Sequence, residues 1–273
     1  MSAPRIFTAE YYARMRELEA GSWWNAAMRD VAAMLLADAV LPRKGRVLDV
    51  GCGSGQTLSW FSQMLPEWET IGCDIALDAV AVAKAFTDGA IGASALDLPF
   101  PDQSVDLVIT LDVVQHLPIP GGDIRALGEI RRVLRPGGYV LLRTNAQSYP
   151  VIRDDLDFNF HKYTPNELRQ KLARAGLPPV RLSRLNALLG LAEIPRELRA
   201  RRSNHSEYRG ILTEARPEPS IVRALKRGWL KLEGRAVRYG LQLPAGRTII
   251  ALSRRVDEHG GRAVDSEPAG GTS

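Results

Sequence analysis

The sequence predicts an α/β protein built on a doubly wound, mostly parallel β-sheet with helices on both faces. Short apolar segments typical of buried strands alternate with segments of helical periodicity, and this alternation is typical of parallel sheets covered on both sides. The first predicted strand, RVLDV at 46–50, ends at the glycine-rich stretch GCGSG at 51–55. The 273 residues, of which 45% are hydrophobic, are enough for one core with a subdomain.

The elements follow one another in a regular order along the chain. Apolar residues at helical spacing predict an N-terminal helix over 10–39, which Gly21 and Ser22 divide, with Ser22 as the cap of its second half. Further helices are predicted at 54–65, 77–87, 122–134 and 165–175. Strands are predicted at 46–50, 70–74, 90–94, 105–111, 137–145, 179–185 and 247–255.

These elements divide the chain into four parts. We expect residues 1–45 to form an N-terminal helical lid, and 46–185 together with 245–256 to form the α/β core. The insertion 186–244 is rich in arginine and leucine and is long for a connection, so we expect a helical segment that covers the substrate. Residues 257–273 have the glycine-rich and acidic composition of a disordered tail.

Composition argues against several classes of protein. The sequence has no apolar run of about eighteen residues and no signal-peptide stretch, so we expect a cytoplasmic protein. Two cysteines, Cys52 and Cys73, are too few for a disulfide scaffold, and without clustered histidines they predict no metal site. The net charge of +5 is concentrated between 196 and 238, which suits an acidic or lipid-surface partner of that segment.

The most specific motif is VLDVGCGSG at 47–55. Gly51, Gly53 and Gly55 allow a tight turn and the close approach of a ligand at the carboxyl edge of the sheet. A dinucleotide-binding loop would need a third glycine where Gln56 stands, and it would place a pyrophosphate beside the turn. Asp49 would repel that pyrophosphate, whereas it suits a cofactor that carries an ammonium and a sulfonium group.

Two further acidic residues follow predicted strands. Asp74, with Ile75 next to it, ends the second strand about twenty residues after the glycine loop, where an acid can accept both ribose hydroxyls. The alternative for Asp74 is a cap of helix 77–87. Asp97 follows the third strand and can accept a hydrogen bond from an adenine amino group, while Leu98 offers backbone and apolar contact to the ring. The alternative for this pair is an ordinary polar turn.

Taken together, the motifs resemble those of class I S-adenosylmethionine-dependent methyltransferases, in the small-molecule branch (methyltransferase type 11) that includes quinone-biosynthesis enzymes. The resemblance lies in VLDVGCGSG, GCD, ALDLPFPDQSVDLVIT, LDVVQHL and EIRRVLRPGGYVLL, and more weakly in HKYTPNELRQKLARAGL. It implies a seven-stranded sheet whose last strand, 247–255, is antiparallel, and S-adenosyl-L-methionine as cofactor.

The resemblance also implies a role for each site residue. The residues that hold the methionine end of the cofactor would be Asp49, Gly51, Gly53 and Gly55. Asp74 would bind the ribose, and Asp97 with Leu98 the adenine. Thr110 and Leu111, at the end of the fourth strand, would form the floor of the pocket through backbone contacts.

Two histidines are candidates for a general base if the acceptor must lose a proton. His116 follows the fourth strand and His161 lies beyond the fifth, both at the carboxyl edge. For each histidine the alternative is a structural role in a turn. His161 has the more polar neighbours in sequence: Asp157, Asn159 and Tyr163.

Two apolar features outside these motifs have open interpretations. Trp23 and Trp24 form either a lid over the site or part of the core. The segment 221–241 has an amphipathic pattern, with an apolar stripe of Val222, Leu225, Trp229, Leu232 and Ala236 and basic residues largely elsewhere. It is either a surface helix packed on its own domain with a solvated basic face, or a lid or membrane-surface helix.

The leading hypothesis is an enzyme that methylates oxygen or carbon of a small, lipophilic or quinone-like acceptor. The alternatives are an NAD-dependent oxidoreductase, which Gln56 and Asp49 disfavour, and a noncatalytic cofactor-binding scaffold protein. Nucleic acid is not an expected partner, since the sequence has no base-flipping motif and no separate basic recognition domain.

Overall fold

The computed structural model describes residues 8–87, 89–147, 161–188 and 218–256. Its seven strands form one sheet in the order β3-β2-β1-β4-β5-β7-β6. The strands are β1 Arg46–Val50, β2 Glu69–Asp74, β3 Ala90–Gly92, β4 Val105–Leu111, β5 Leu134–Asn145, β6 Pro179–Leu185 and β7 Thr248–Arg254. The helices of the described residues are α1 Ala9–Ala20, α2 Trp23–Leu36, α3 Gln56–Met64, α4 Leu77–Ala83, α5 Gly122–Val133, α6 Pro165–Arg174 and α7 Ser220–Arg238, and a short 3₁₀ turn spans Val114–His116.

The strand directions confirm the predicted fold class. Strands β1 to β5 pair in parallel, and β7 lies antiparallel between β5 and β6. The chain leaves β1 towards β2 and β3 and then returns to β4 on the other side of β1, so the strand order reverses between β1 and β4. Ligands of open α/β sheets bind outside the carboxyl ends of the strands at such a reversal.

The sheet is buried on both faces, as its nearly unbroken apolar strands require. Leu48 and Val108 belong to one core cluster, with residues of α5 and α6. Val47 and Leu107, one position earlier on the same strands, belong to a second cluster with residues of α2 and α7. Successive side chains of a strand point to opposite faces, so these neighbours fill different layers. The helices packed on the two faces hold the sheet in place, and with it the carboxyl edge where the strands end.

The ends of several elements differ from the prediction by a few residues. Helix α3 begins at Gln56 rather than 54, because Gly55 adopts a left-handed conformation with φ of 79°. Helix α4 ends at Ala83 rather than 87, and β5 begins at Leu134 rather than 137. The break between α1 and α2 is confirmed: Ser22 Oγ accepts the Asn25 N–H at 3.2 Å and caps α2.

The tryptophan pair lies where α2 meets the core and α7. Trp24 packs against the core cluster that contains α2 and α7 residues. The Lys226 ammonium lies 5.4 Å from the centre of the Trp23 ring. These contacts favour the packing interpretation of both tryptophans over the lid interpretation.

The face that α7 turns to the domain is not the predicted apolar stripe. Leu230, Gly234 and Val237 are buried, and a Cβ at Gly234 would lie 2.7 Å from the Val31 side chain, so glycine lets α7 approach α2 closely. The predicted stripe faces outward instead, with Leu225 69% and Leu232 52% exposed. The expectation that this helix packs on its own domain is confirmed, but the buried side is not the predicted stripe, because Gly234 allows close contact with Val31.

Arg223, Arg227 and Arg235 of α7 are exposed, as expected for a solvated basic face, and several basic side chains of the helix also form ion pairs with the domain. Arg227 and Lys231 approach the Asp30 carboxylate of α2, at 2.8 and 3.6 Å, and Arg238 pairs with Asp38 at 2.8 Å. Of the predicted insertion, 189–217 lies outside the described residues, as does the expected tail 257–273. No helix of the described ranges is both long and apolar enough to span a membrane.

Candidate cofactor and active site

The glycine loop is fixed to the end of β2 by backbone hydrogen bonds. The N–H groups of Gly51 and Cys52 both donate to the Cys73 carbonyl, at 2.7 and 3.0 Å. Gly51, Gly53 and Gly55 all have positive φ, of 79°, 48° and 79°. A Cβ at Gly51 would lie 2.2 Å from the Val113 side chain. Both the backbone conformation and this close approach therefore require glycine in the loop.

Asp74 links the glycine loop to the start of α4. One carboxylate oxygen accepts the Gly53 N–H at 3.0 Å, and the other accepts the Ala76 N–H at 2.9 Å. Ala76 is the N-cap residue of α4, and the helix has no side-chain cap. The capping alternative for Asp74 is therefore wrong. Its carboxylate is held in a fixed orientation beside Ile75, whose side chain is exposed, and each oxygen has a further lone pair for a ligand.

Asp49 is a buried acid at the base of the loop. Only 3% of the residue is exposed, and no hydrogen bond to its carboxylate is found among the described residues. Burial raises its pKa to about 8, and the nearby charges of Asp74 and Glu19 act in the same direction, while Arg143 opposes them. A carboxyl in this setting gains from a cationic ligand, which would offset the cost of burying its charge.

The ends of β4 and β5 supply a neighbouring ion pair. The Arg143 guanidinium donates from Nη2 and Nε to Asp112 Oδ2, at 2.5 and 3.0 Å. Asp112 follows β4 directly and has a positive φ of 60°, uncommon for a residue other than glycine. Thr110 is buried with its hydroxyl unpaired among the described residues, and Leu111 is partly buried.

Asp97 and Leu98, the two residues proposed to contact adenine, lie in the turn after β3 and differ in their exposure to solvent. Asp97 is exposed, whereas Leu98 is buried with 2% exposure. The Leu98 N–H donates to Glu129 at 2.8 Å, and its carbonyl accepts from Arg132 at 2.7 Å. The expectation that the Leu98 backbone is open to a ligand was wrong, because the salt-bridged pair from α5 already uses both groups.

Helix α1 lies over the glycine loop. The Ser54 hydroxyl donates to the Glu19 carboxylate, and the Gln56 amide donates to the Arg16 carbonyl at 3.3 Å. A Cβ at Gly53 would lie 3.2 Å from the Met15 methyl group. Burial raises the pKa of Tyr12, and the nearby Asp74 carboxylate adds to the shift. The N-terminal segment thus contributes side chains to the site, and none of them carries a local sequence signal for that position.

The two histidines lie on adjacent segments at the carboxyl edge. The His161 N–H donates to the carbonyl of Gln115, the residue before His116, at 3.0 Å. His161 Nε2 lies 2.8 Å from a carboxylate oxygen of Glu167, and its ring stands edge-on to Tyr163. The expected partners Asp157 and Asn159 lie outside the described residues. Partial burial lowers the pKa of His116, and the Asp112 charge acts against this shift.

A chain of charged groups continues from His161 into the protein. Lys171 Nζ lies 3.0 Å from Glu167 and 2.5 Å from Asp123, which also accepts the Tyr163 hydroxyl at 3.1 Å. Burial alone would raise the pKa of Glu167, but hydrogen bonds from His161 and Lys171 hold it below its usual value. Glu167 was missed from the sequence, although its position as the third residue of a Thr-Pro-x-Glu helix start marks it.

The described residues contain no group of three or more histidine, cysteine, aspartate or glutamate residues that could hold a metal ion. Cys52 and Cys73 are buried, and burial raises the pKa of both thiols, that of Cys73 to about 12. They are neutral, small apolar residues at the base of the loop.

Comparison with known proteins shows similarity to methyltransferases over part of the chain. Residues 48–142 match a family described as "Methyltransferase domain". "Probable tRNA methyltransferase 9B" of Bos taurus is 35% identical over 96 residues, which are 35% of this chain and 20% of that protein. "Probable methyltransferase ltbC" of Aspergillus luteorubrus is 34% identical over 125 residues, 41% of this chain and 44% of that protein. The chain spans less than half the length of these relatives.

Solved structures agree on the fold. Phosphoethanolamine N-methyltransferase 2 of Haemonchus contortus, in complex with S-adenosyl-L-methionine, has a TM-score of 0.59 at 17% identity over 93% of this chain and 59% of that one. Residues 48–142 are thus similar to the methyltransferase domain family, and the sheet has the fold of that S-adenosylmethionine-bound structure.

Proposed function

We propose that the protein transfers a methyl group from S-adenosylmethionine to oxygen or carbon of a small, lipophilic or quinone-like acceptor. The observation that carries the proposal is the acidic carboxyl edge, where Asp49, Asp74 and Glu19 surround the glycine loop. A cofactor with an ammonium and a sulfonium group suits this charge, whereas the pyrophosphate of a dinucleotide would be repelled.

In this proposal each cofactor contact has a defined place. Asp49 and the glycine loop hold the amino-acid end, while Asp74, with Ile75 beside it, holds the ribose hydroxyls. Asp97 is left as the polar contact for the adenine, because Leu98 contributes only apolar packing. Thr110 and Leu111 close the pocket at the end of β4.

The reaction is a displacement at the methyl carbon of the bound sulfonium, which supplies the reactivity. The acceptor atom forms the new bond to carbon as the sulfur–carbon bond breaks, and a hydroxyl acceptor gives up its proton. We assign the proton to His161. In the tautomer that donates Nε2–H to Glu167, Nδ1 carries the lone pair that accepts it. His116 positions the acceptor from the adjacent 3₁₀ turn.

A second proposal concerns the surface of α7. Its outward face carries Ile221, Leu225, Trp229 and Leu232 at helical spacing, and the exposed Arg235 lies beside it. An amphipathic helix with apolar and aromatic residues on one face and basic residues at its border suits an anionic lipid surface. We propose that α7 contacts such a surface, which would bring the site to a lipophilic acceptor.

Calorimetry with S-adenosylhomocysteine and with NADH tests the cofactor assignment. The wild-type protein should bind the adenosyl compound with micromolar affinity and NADH far more weakly. Asp74→Ala should weaken binding at least about tenfold without unfolding, since it removes charge-assisted hydrogen bonds to the ribose. Tight NADH binding with none of the adenosyl compound would favour the oxidoreductase alternative.

A further inference from the structure

Glu19, near the end of the N-terminal helix, contacts the glycine loop at the acidic edge of the sheet. Its carboxylate accepts the Ser54 hydroxyl within the glycine loop, so α1 is tied to the loop at this point. Burial raises the pKa of Glu19, and Arg143, Arg29 and Asp112 are the charges that act on it besides its Ser54 bond. Glu19 therefore contacts the loop and lies within electrostatic reach of the Arg143–Asp112 ion pair.

The hydrogen-bonding capacity of this cluster is not used up by the protein. Asp49 is buried, and its carboxylate has no hydrogen-bond donor among the described residues. Arg143 gives two of its donors to Asp112. Glu19 receives one hydroxyl donor from Ser54 and keeps further acceptor sites. Two carboxylates near the loop, which act on each other electrostatically, thus share a need for N–H donors.

An alkylammonium group meets that need better than a sulfonium does. An ammonium has three N–H donors and a full positive charge, whereas a sulfonium has charge but no donor. The cofactor class carries its ammonium on the amino-acid part, the end that the glycine loop is proposed to hold. The Asp74 carboxylate already accepts the Gly53 and Ala76 N–H groups, and in the proposed function it serves the ribose rather than the ammonium.

We infer that Glu19 and Asp49 together bind the α-ammonium group of the cofactor, so that α1 closes on ligands that carry this cation. The inference rests on the proposed cofactor and adds a binding residue from outside the α/β core. The Met15 side chain of α1 also packs against Gly53. The inference explains why α1 lies over the loop rather than elsewhere on the domain.

The test compares S-adenosylhomocysteine with 5′-methylthioadenosine, which keeps the adenosine but lacks the amino acid. Glu19→Gln should weaken binding of S-adenosylhomocysteine at least about tenfold and change binding of methylthioadenosine less than about twofold. Glu19→Asp should restore part of the lost affinity. The matched control is Glu17→Gln on the same helix, since Glu17 is exposed and pairs with Arg14, and it should change neither affinity.

Four results would overturn the inference. Equal weakening of both ligands in Glu19→Gln would mean that Glu19 only holds α1 in place. Unchanged binding of both would mean that it contacts no ligand. Equal affinity of the wild-type protein for methylthioadenosine and S-adenosylhomocysteine would contradict the inference but leave an adenosyl site intact. Binding of neither ligand would contradict the proposed function as well.

Discussion

At the residue scale, the acidic edge of the sheet depends on carboxyl groups whose charge is costly without a ligand. Asp49 has a pKa of about 8, against an ordinary value of 3.8, because it is buried beside Asp74 and Glu19, with Arg143 opposing. At a pH between these two pKa values, Asp49 is protonated in the native state and ionised in the unfolded state. The stability of the ligand-free protein should therefore fall as the pH rises from about 4 to 8.

This dependence gives a prediction for Asp49→Asn. The melting temperature of the ligand-free wild-type protein should decline from pH 5 to pH 8, and the variant should show a flatter decline, as measured by calorimetry. Saturating S-adenosylhomocysteine should stabilise the wild type more at pH 8 than at pH 5, because the ionised carboxylate binds the cation. Parallel pH profiles for wild type and variant would contradict the raised pKa.

The proton-transfer role gives a prediction for His161. His161→Ala should lower turnover of a hydroxyl acceptor at least about a hundredfold with little change in cofactor affinity, because general-base assistance is lost. Glu167→Gln should act less strongly, since it disturbs only the orientation of the ring. His116→Ala should be milder than His161→Ala. Near-normal turnover in both histidine variants would contradict general-base catalysis. The enzyme would then act by holding cofactor and acceptor close together, with an acceptor that needs no deprotonation.

The residues that the sequence identified are those with a local signal. The glycine loop needs positive φ values, and Asp74 follows it at a fixed distance, so both are readable from neighbouring residues. The Glu19–Ser54 bond spans 35 positions and the Arg143–Asp112 pair spans 31, and both depend on how distant elements pack. The polar partner of His161 was sought at Asp157 and Asn159, whereas the structure supplies Glu167 from the next helix.

At the element scale, the order and type of strands and helices follow from apolar periodicity, while the orientation of α7 does not. A hydrophobic stripe alone predicts which side of a helix is buried, but Gly234 permits a backbone contact with Val31 that outweighs the stripe. The penalty usually assigned to glycine in a helix is offset here by close packing of two helices.

The two glycines of α7 give a matched stability prediction. Gly228→Ala should stabilise the protein by roughly 0.5–1 kcal/mol, because a Cβ there meets nothing within 4 Å and alanine favours the helix. Gly234→Ala should destabilise it by about 1–3 kcal/mol, because its Cβ would overlap the Val31 side chain. Urea unfolding of both variants measures the difference. Stabilisation by both substitutions would show that α7 does not pack on α2 at Gly234.

The outward face of α7 gives a prediction for lipid binding. Leu225→Glu combined with Leu232→Glu should reduce co-sedimentation with phosphatidylglycerol vesicles at least about tenfold, because both side chains are exposed on that face. Val40→Glu is the matched control, since Val40 is an exposed apolar residue outside α7. Wild-type binding to phosphatidylcholine vesicles should be weaker. Unchanged sedimentation of the double variant would contradict the lipid proposal. So would light scattering that shows a dimer for the wild type and a monomer for the double variant, because the exposed face would then bind a second copy of the chain.

At the scale of the whole molecule, the fold brings α1, the glycine loop and the ends of β2, β4 and β5 to one edge of the sheet. The reversal between β1 and β4 opens the crevice, α1 covers it, and the histidine segment between β5 and α6 borders it. The core could be predicted because doubly wound sheets follow few topological rules. The acceptor could not, because it depends on segments whose sequence carries no chemical motif.

The most direct test of methyl transfer is incubation of the protein with S-adenosylmethionine labelled in the methyl group. One reaction contains a small-molecule extract of the host and a parallel one contains its tRNA, and mass spectrometry follows the label. We predict label in an oxygen- or carbon-methylated small molecule, release of S-adenosylhomocysteine, and a decrease of both with Asp74→Ala at subsaturating S-adenosylmethionine. Label in tRNA alone would contradict the small-molecule acceptor, and bound but unconsumed S-adenosylmethionine in both reactions would contradict enzymatic methyl transfer.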